Sequence, residues 1–170
     1  RRPGTGHRVG SSRWASRIKT GVFGAFFAAT GAMAVAQGGM RPVAADSNDG
    51  RPYAVVDKRL ATLSVFAADG RLVGRAPALL GLTPGDVEAP SAKGKDPSAL
   101  TVHERVTPAG RFEAQPGHNL HGERIVWIDY QANLAIHRLR PAPASQRRPQ
   151  RLASANLQER RITLGCVVVD

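Results

Sequence analysis

The sequence predicts a mainly β domain of mixed, mostly antiparallel sheets with one or two short helices. Three observations support this prediction. Short segments rich in β-branched residues recur from residue 53 onward, turn signals with Pro, Gly or Asp separate most of them, and no repeat or heptad pattern is visible. Many short strands joined by turns are typical of β-rich domains.

The first half of this domain is predicted to begin with a hairpin. Residues 53–57 (YAVVD) and 60–66 (LATLSVF) are short and bounded by polar residues, as strands are. Asp69-Gly70 is a strong turn signal between the second segment and residues 71–75. The segments that follow carry turn and loop chemistry, and they cover residues 79–86, 88–98 and 107–110.

The second half is predicted to supply three more strands and a short helix. Residues 125–130 (IVWIDY) and 133–137 (NLAIH) are apolar segments separated by two residues. Residues 138–150 are rich in Pro and Arg and favour neither strand nor helix, whereas 151–156 are expected to start a short helix. Residues 161–169 (RITLGCVVV) predict a strand that is interrupted at its Gly-Cys pair.

The first 36 residues have the layout of an export signal. A basic lead without acidic residues precedes an apolar run, and Ala34-Val35-Ala36 offers the small-x-small pattern of a signal-peptidase site. We therefore predict a signal peptide or N-terminal anchor over 1–36, a linker over 37–52 and a folded domain over 53–170. The expected location is the periplasm or cell envelope, with the inner membrane contacted only through the N-terminal segment.

The formal net charge of +11 is concentrated in two segments. Residues 1–36 hold six Lys or Arg and no acid, and residues 138–161, here called the basic segment, hold seven Arg and Glu159. A nucleic-acid-binding surface usually spreads its cations along one face with aromatic residues for stacking, which is not the pattern here. We expect no nucleic-acid partner, and an anionic wall polymer as a partner of the basic segment.

Cys166 is the only cysteine, so no internal disulfide can form. A free thiol is a liability in an oxidising compartment, although a lone cysteine also packs as a small inert hydrophobe. His137 ends an apolar segment, where a strand would position its imidazole as a base that lowers the thiol pKa. Gly165 permits a sharp turn with N–H groups facing an oxyanion, and Thr163 adds a hydroxyl. These residues alone leave catalytic and structural roles open.

Four motif-like segments follow one another along the chain. They are residues 55–58 with 63–66, residues 107–112 (TPAGRF), Ile136-His137 and residues 163–167 (TLGCV). In this order they resemble the opening strands, the TPxGxF turn, the Ile/Met-His element and the Ser/Thr-x-Gly-Cys-Ile/Val signature of the YkuD-type L,D-transpeptidases, the cysteine acyltransferases of bacterial cell walls. The resemblance covers about residues 53–170. It implies an L,D-transpeptidase-like catalytic domain with Cys166 as nucleophile and His137 as base.

The chain departs from the family's pattern at several positions. The family often has Gly after the histidine, where Arg138 stands, and the spacing to the cysteine is longer than in compact members. Two residues after the cysteine the family commonly has Arg or Asn, where this chain has Val168. Arg138 or Arg161 is the candidate replacement for contact with a substrate carboxylate. Because members continue past this point, we expect the native domain to extend beyond Asp170.

The loop GHNLHG brings two histidines close together in sequence. His118 and His121 would need a third ligand to bind a metal, and the candidates are His103, Glu104 and Glu123. Two nearby histidines in a loop are more often solvent-facing, so we expect no metal and no cofactor. His118 remains a candidate substrate contact, and His121 is the alternative catalytic base.

The resemblance implies a two-step reaction on peptidoglycan stem peptides. Cys166 would form an acyl-enzyme and pass the acyl group to an amine, which forms cross-links or exchanges the terminal D-amino acid, with consequences for cell-wall biosynthesis and cell shape. Gly165 and Cys166 would supply the N–H groups of an oxyanion hole. The alternatives are an L,D-carboxypeptidase or amidase hydrolase on the same scaffold, and a non-catalytic cell-wall-binding protein.

Overall fold

Nine strands form three sheets in the computed structural model, which describes residues 48–170. The strands are β1 Tyr53–Asp57, β2 Thr62–Phe66, β3 Leu72–Pro77, β4 Leu80–Gly81, β5 Gln115–His118, β6 Arg124–Asp129, β7 Leu134–Arg138, β8 Arg161–Thr163 and β9 Val167–Val169. One α-helix, α1, spans Arg148–Ala153 in the same part of the chain. The predicted leader and residues 37–47 of the predicted linker lie outside the described residues.

The first sheet confirms the hairpin prediction. β1, β2 and β3 pair in sequence order, all antiparallel, and the predicted Asp69-Gly70 turn joins the last two strands. Asn48, within the predicted linker, is already part of this body because its side-chain amide donates to the Ala68 carbonyl at 3.1 Å.

The second sheet carries the residues predicted to be functional. Its order is β5-β6-β7-β9, with antiparallel pairing except between β7 and β9, which run parallel. A third sheet pairs β4 with β8, also in parallel. The chain is therefore mainly β with mixed, mostly antiparallel sheets, and this part of the fold-class prediction is confirmed.

β9 lies between two apolar clusters because successive strand residues point to opposite faces. Val167 packs with Leu63 and Leu80, on the side of the first sheet. Val168 points the other way and packs with Leu79 and with Leu152 of α1. Both valines are fully buried, so the strand that directly follows the cysteine is among the most enclosed parts of the domain.

Three local predictions were wrong. β4 was predicted as part of a turn region and His118 as a loop residue, yet both are in strands. β4 pairs with β8, which is distant in sequence, whereas β5 pairs with β6, the next strand along the chain. The helix α1 begins at Arg148, inside the segment predicted to avoid helix. Pro149 is tolerated there because a proline in the first helical turn removes an N–H that has no helical partner.

Candidate functional site

Cys166 lies on a turn between β8 and β9 that is held by hydrogen bonds. Thr163 Oγ1 donates to the Cys166 carbonyl at 2.7 Å and accepts from the Gly165 N–H at 3.2 Å. Gly165 has φ +140°, and a Cβ there would lie 3.0 Å from the Val106 carbonyl oxygen. The conformation therefore favours glycine. Thr163 and Gly165, both predicted at the catalytic site, fix the backbone that carries the thiol.

A buried threonine ties this turn to the rest of the domain. Thr107 Oγ1 donates to the Gly165 carbonyl at 2.7 Å and accepts from the Gly81 N–H of β4 at 2.8 Å. Thr107 is the first residue of the TPAGRF segment, which sequence analysis treated as a turn. The sequence motif marked Thr107 as a residue of interest. It could not identify the partners of its hydroxyl, because these lie far away along the chain.

The sulfur of Cys166 is half-buried and faces the start of β7. Sγ lies 3.5 Å from the Asn133 carbonyl oxygen, and the Ala135 backbone amide also hydrogen-bonds to it. Leu152 belongs to the apolar cluster that packs on the cysteine. Burial raises the pKa of the thiol, and the Ala135 amide offsets this only in part. Desolvation disfavours the thiolate, which is opposite in direction to the lowering expected from a neighbouring histidine.

His137 is positioned by strand β7 and by a hydrogen bond to the backbone carbonyl of Arg138, the next residue in the chain. Its Nδ1 lies 2.8 Å from the Arg138 carbonyl oxygen, an arrangement that places the proton on Nδ1 and leaves Nε2 as the basic nitrogen. Burial lowers the pKa of His137, and the hydrogen bond to the Arg138 carbonyl acts in the opposite direction. The imidazole is therefore neutral at neutral pH, as a general base must be.

The strand register places the two predicted catalytic residues on one face. His137 pairs with Val168 in the parallel ladder, so the side chains of both point to the same side. Cys166 precedes Val168 by two residues, which corresponds to about 6–7 Å along a strand. The thiol contacts the Asn133 carbonyl rather than the imidazole. The two residues share a face without a hydrogen bond between them.

The predicted oxyanion donors differ from the arrangement observed. The Gly165 N–H is engaged by Thr163 Oγ1, so it does not face an open site. The backbone groups of Ala135 and Cys166 instead lower the pKa of the thiol. The prediction that Gly165 supplies a donor was wrong, because the side chain of Thr163 reaches that N–H first.

None of the predicted substrate-binding residues lies beside the sulfur. Arg138 follows Ile136 by two residues and so points to the sheet face opposite His137. There Arg138 and His118 line a cavity of about 470 Å³, which His137 also borders. Arg161 donates to the Lys58 carbonyl at 3.0 Å, at the β4–β8 sheet. Neither arginine replaces a side chain at the position of Val168, which is fully buried.

Two other guanidinium groups act on the thiol. Arg140 and Arg148 both lower the pKa of Cys166 and so partly offset burial. Arg140 Nε forms an ion pair with Glu123 at 2.8 Å, whereas Arg148 Nε donates to the Gln146 side chain at 2.7 Å. Neither arginine was predicted to act on the thiol, because nothing in the sequence distinguishes them from the other arginines of the basic segment.

Much of the basic segment's charge serves to fold the chain. Arg160 donates to the Ser154 carbonyl at 2.8 Å and to the Ala61 carbonyl at 3.2 Å. Arg151 donates to the Gln146 and Glu159 carbonyls at 2.9 and 3.1 Å. Guanidinium groups offer several donors in a fixed plane and suit such contacts. The contact with an anionic wall polymer stays a prediction.

The described residues contain no group of three or more His, Cys, Asp or Glu side chains arranged to hold a metal. His121 is exposed in the turn between β5 and β6, and Glu104 is instead engaged by Ser91, Lys95 and Thr101. Within residues 48–170, no helix has the length and apolarity needed to cross a membrane.

Comparisons with known proteins add no relative. No protein-family model matches the chain, and neither the curated proteins nor the solved structures contain a significant match. The resemblance to the L,D-transpeptidases therefore rests on the motif residues themselves.

Proposed function

We propose that this protein is an L,D-transpeptidase acting on peptidoglycan stem peptides through an acyl-enzyme at Cys166. The observation that carries the proposal is the parallel pairing of β7 with β9, which sets Cys166 and His137 on one face. His137 has its Nδ1 engaged by the Arg138 carbonyl, so Nε2 is the atom available to accept a proton. The motif order TPxGxF, Ile-His, Thr-x-Gly-Cys supplies the substrate class.

The first step transfers the acyl group to the enzyme. Cys166 turns from the Asn133 carbonyl toward His137, its S–H proton passes to Nε2, and sulfur attacks the carbonyl carbon of the penultimate stem-peptide bond. The C–N bond then breaks, and the leaving D-amino acid takes the proton from the imidazolium. Apo geometry in which nucleophile and base are not yet hydrogen-bonded is common for such sites.

The second step regenerates the thiol. An acceptor amine attacks the thioester carbonyl, His137 takes the amine proton, and the C–S bond breaks as the proton returns to sulfur. An amine on a neighbouring stem gives a cross-link, and a free D-amino acid gives exchange.

One observation favours a second candidate, a non-catalytic wall-binding protein. Burial raises the pKa of the Cys166 thiol, and its Sγ contacts the Asn133 carbonyl oxygen rather than His137. A resting thiol of this kind is also what a structural cysteine shows. The two candidates differ in whether Cys166 can be acylated.

The deciding experiment combines product analysis with intact mass. The protein is incubated with purified wall tetrapeptides, and separately with a carbapenem-type β-lactam, whose strained amide presents a carbonyl to the nucleophile. We expect cross-linked dimers or exchanged tetrapeptides, and one covalent adduct. Cys166→Ala is the matched control, because alanine preserves the fold around the small side chain and removes only the nucleophile.

The outcomes separate the three candidate functions. Dimers that require an acceptor amine support the transpeptidase, and shortened peptides in water alone support the hydrolase. A folded protein that gives neither product nor adduct, yet sediments with purified wall, supports the wall-binding protein and overturns the proposal.

A further inference from the structure

The basic segment places one arginine on the helix that packs against the cluster of Cys166. Arg148 is the first residue of α1, and Leu152 lies one turn further on the same helical face. Leu152 belongs to the buried cluster that packs on Cys166. The half-buried Arg148 side chain is therefore directed toward the same side of the sheet as the sulfur, and Gln146 fixes its Nε at 2.7 Å.

Within residues 48–170, the Arg148 side chain has neither an acidic partner nor a backbone-carbonyl partner, and its hydrogen bond is to the Gln146 side chain. In residues 48–170, Arg148 forms no ion pair, whereas Arg140 is paired with Glu123. Arg151 and Arg160 are engaged by backbone carbonyls. A half-buried guanidinium with unmatched charge attracts an anion, and its planar donors suit a carboxylate.

We propose that Arg148 binds the terminal carboxylate of the D-amino acid that leaves the donor stem peptide. The inference rests on the proposed function and deepens it by assigning a specificity-determining residue to the basic segment. The leaving residue's carboxylate is one carbon beyond the nitrogen of the bond that Cys166 cleaves, so both groups must be held at one place. Val168, at the position where the resembling family has a polar side chain, is buried and has no such role.

The first test compares two donor peptides. The tetrapeptide with a free terminal carboxylate and its C-terminal amide are given to the protein, and kcat/KM is measured for each. We expect the free acid to be favoured by about 10- to 100-fold, the range of a charge-assisted hydrogen bond. Arg148→Gln should lose most of this preference, and Arg148→Lys should retain part of it, since lysine keeps the charge without the planar fork.

The second test needs no peptide and does not depend on the proposed function. Cys166 is alkylated with iodoacetate, which is anionic, and with iodoacetamide, which is neutral. We expect the ratio of the two rates to fall about threefold or more in Arg148→Gln, because a nearby cation raises the local concentration of an anion. Arg147→Gln is the matched control, since it removes the same charge from the adjacent exposed residue.

The two tests fail in distinguishable ways. An unchanged rate ratio in Arg148→Gln means that no anion site adjoins the thiol and overturns the proposal. Product formation with an acid-to-amide preference equal in wild type and Arg148→Gln also overturns it, while leaving the transpeptidase intact. A changed ratio without any peptide product supports the anion site and counts against the proposed function instead.

Discussion

Replacing Thr107 by valine should destabilise the domain far more than an isosteric change usually does. The hydroxyl accepts from the Gly81 N–H at 2.8 Å and donates to the Gly165 carbonyl at 2.7 Å, and Thr107 is 4 % exposed. Thr107→Val preserves the shape but leaves both buried backbone groups without a partner. Each unsatisfied group costs about 1–3 kcal/mol, so we expect a total loss of about 2–6 kcal/mol.

The assay is urea unfolding followed by the fluorescence of Trp127, with the free energy of unfolding compared between variants. Thr107→Ser should recover most of the loss because it restores the hydroxyl. Thr62→Val is the matched control, since the Thr62 hydroxyl is buried without a hydrogen-bond partner in the described part of the chain. Removing that hydroxyl should be neutral or stabilise by about 1 kcal/mol.

The difference in unfolding free energy between Thr107→Val and Thr62→Val tests whether the Thr107 hydrogen bonds stabilise the domain. If Thr107→Val and Thr62→Val unfold at the same urea concentration, the hydroxyl of Thr107 does not hold the cysteine turn to β4. A large loss in Thr107→Val that Thr107→Ser does not rescue would assign the effect to packing rather than to hydrogen bonding.

Gly165→Ala should cost about 1–3 kcal/mol, because φ is +140° and the new Cβ would meet the Val106 carbonyl at 3.0 Å; a wild-type unfolding midpoint would contradict this. The pKa of Glu104 is lowered to about 2, first by the hydrogen bond from Lys95. Because the folded-state pKa is depressed, its stabilising contribution is complete above about pH 4.5 and is lost as the pH falls toward 2. Glu104→Gln should therefore flatten the acid limb of stability measured by circular dichroism, and an unchanged limb would count against the assignment. Alkylation of Cys166 by iodoacetamide should rise through a midpoint above about 8.5, the value of a free cysteine, because burial raises the thiol pKa. A midpoint below that value would show that the thiol is activated in the resting protein.

Patterns that are local in sequence predicted a substantial part of the fold. The hairpin of β2 and β3 follows from β-branched segments flanking Asp69-Gly70, and β6 and β7 lie within two residues of their predicted bounds. The interruption of the last strand at Gly165-Cys166 was also predicted, because glycine between apolar residues marks a turn. Such features depend on neighbours along the chain, which the sequence displays directly.

Elements without local preference could not be predicted. β5 has the sequence QPGH and β4 is Leu80-Gly81, and neither has the composition of a strand. Each becomes extended because another strand offers its backbone groups: the next strand along the chain, β6, in the first case and the remote strand β8 in the second. Backbone hydrogen bonds to the partner strand outweigh the low intrinsic strand preference of these residues.

The sequence by itself determined that Cys166 and His137 are the residues to examine, since one is the only thiol and both lie in motif-like segments. Only the tertiary structure decided how the two residues are placed. They lie on one face of a parallel pair of strands, and the sulfur contacts the Asn133 carbonyl. It also decided that burial raises the thiol pKa and that Arg140 and Arg148, rather than Arg138, lower it. Desolvation and charge depend on which groups surround an atom in space, and those groups come from segments far apart in the chain.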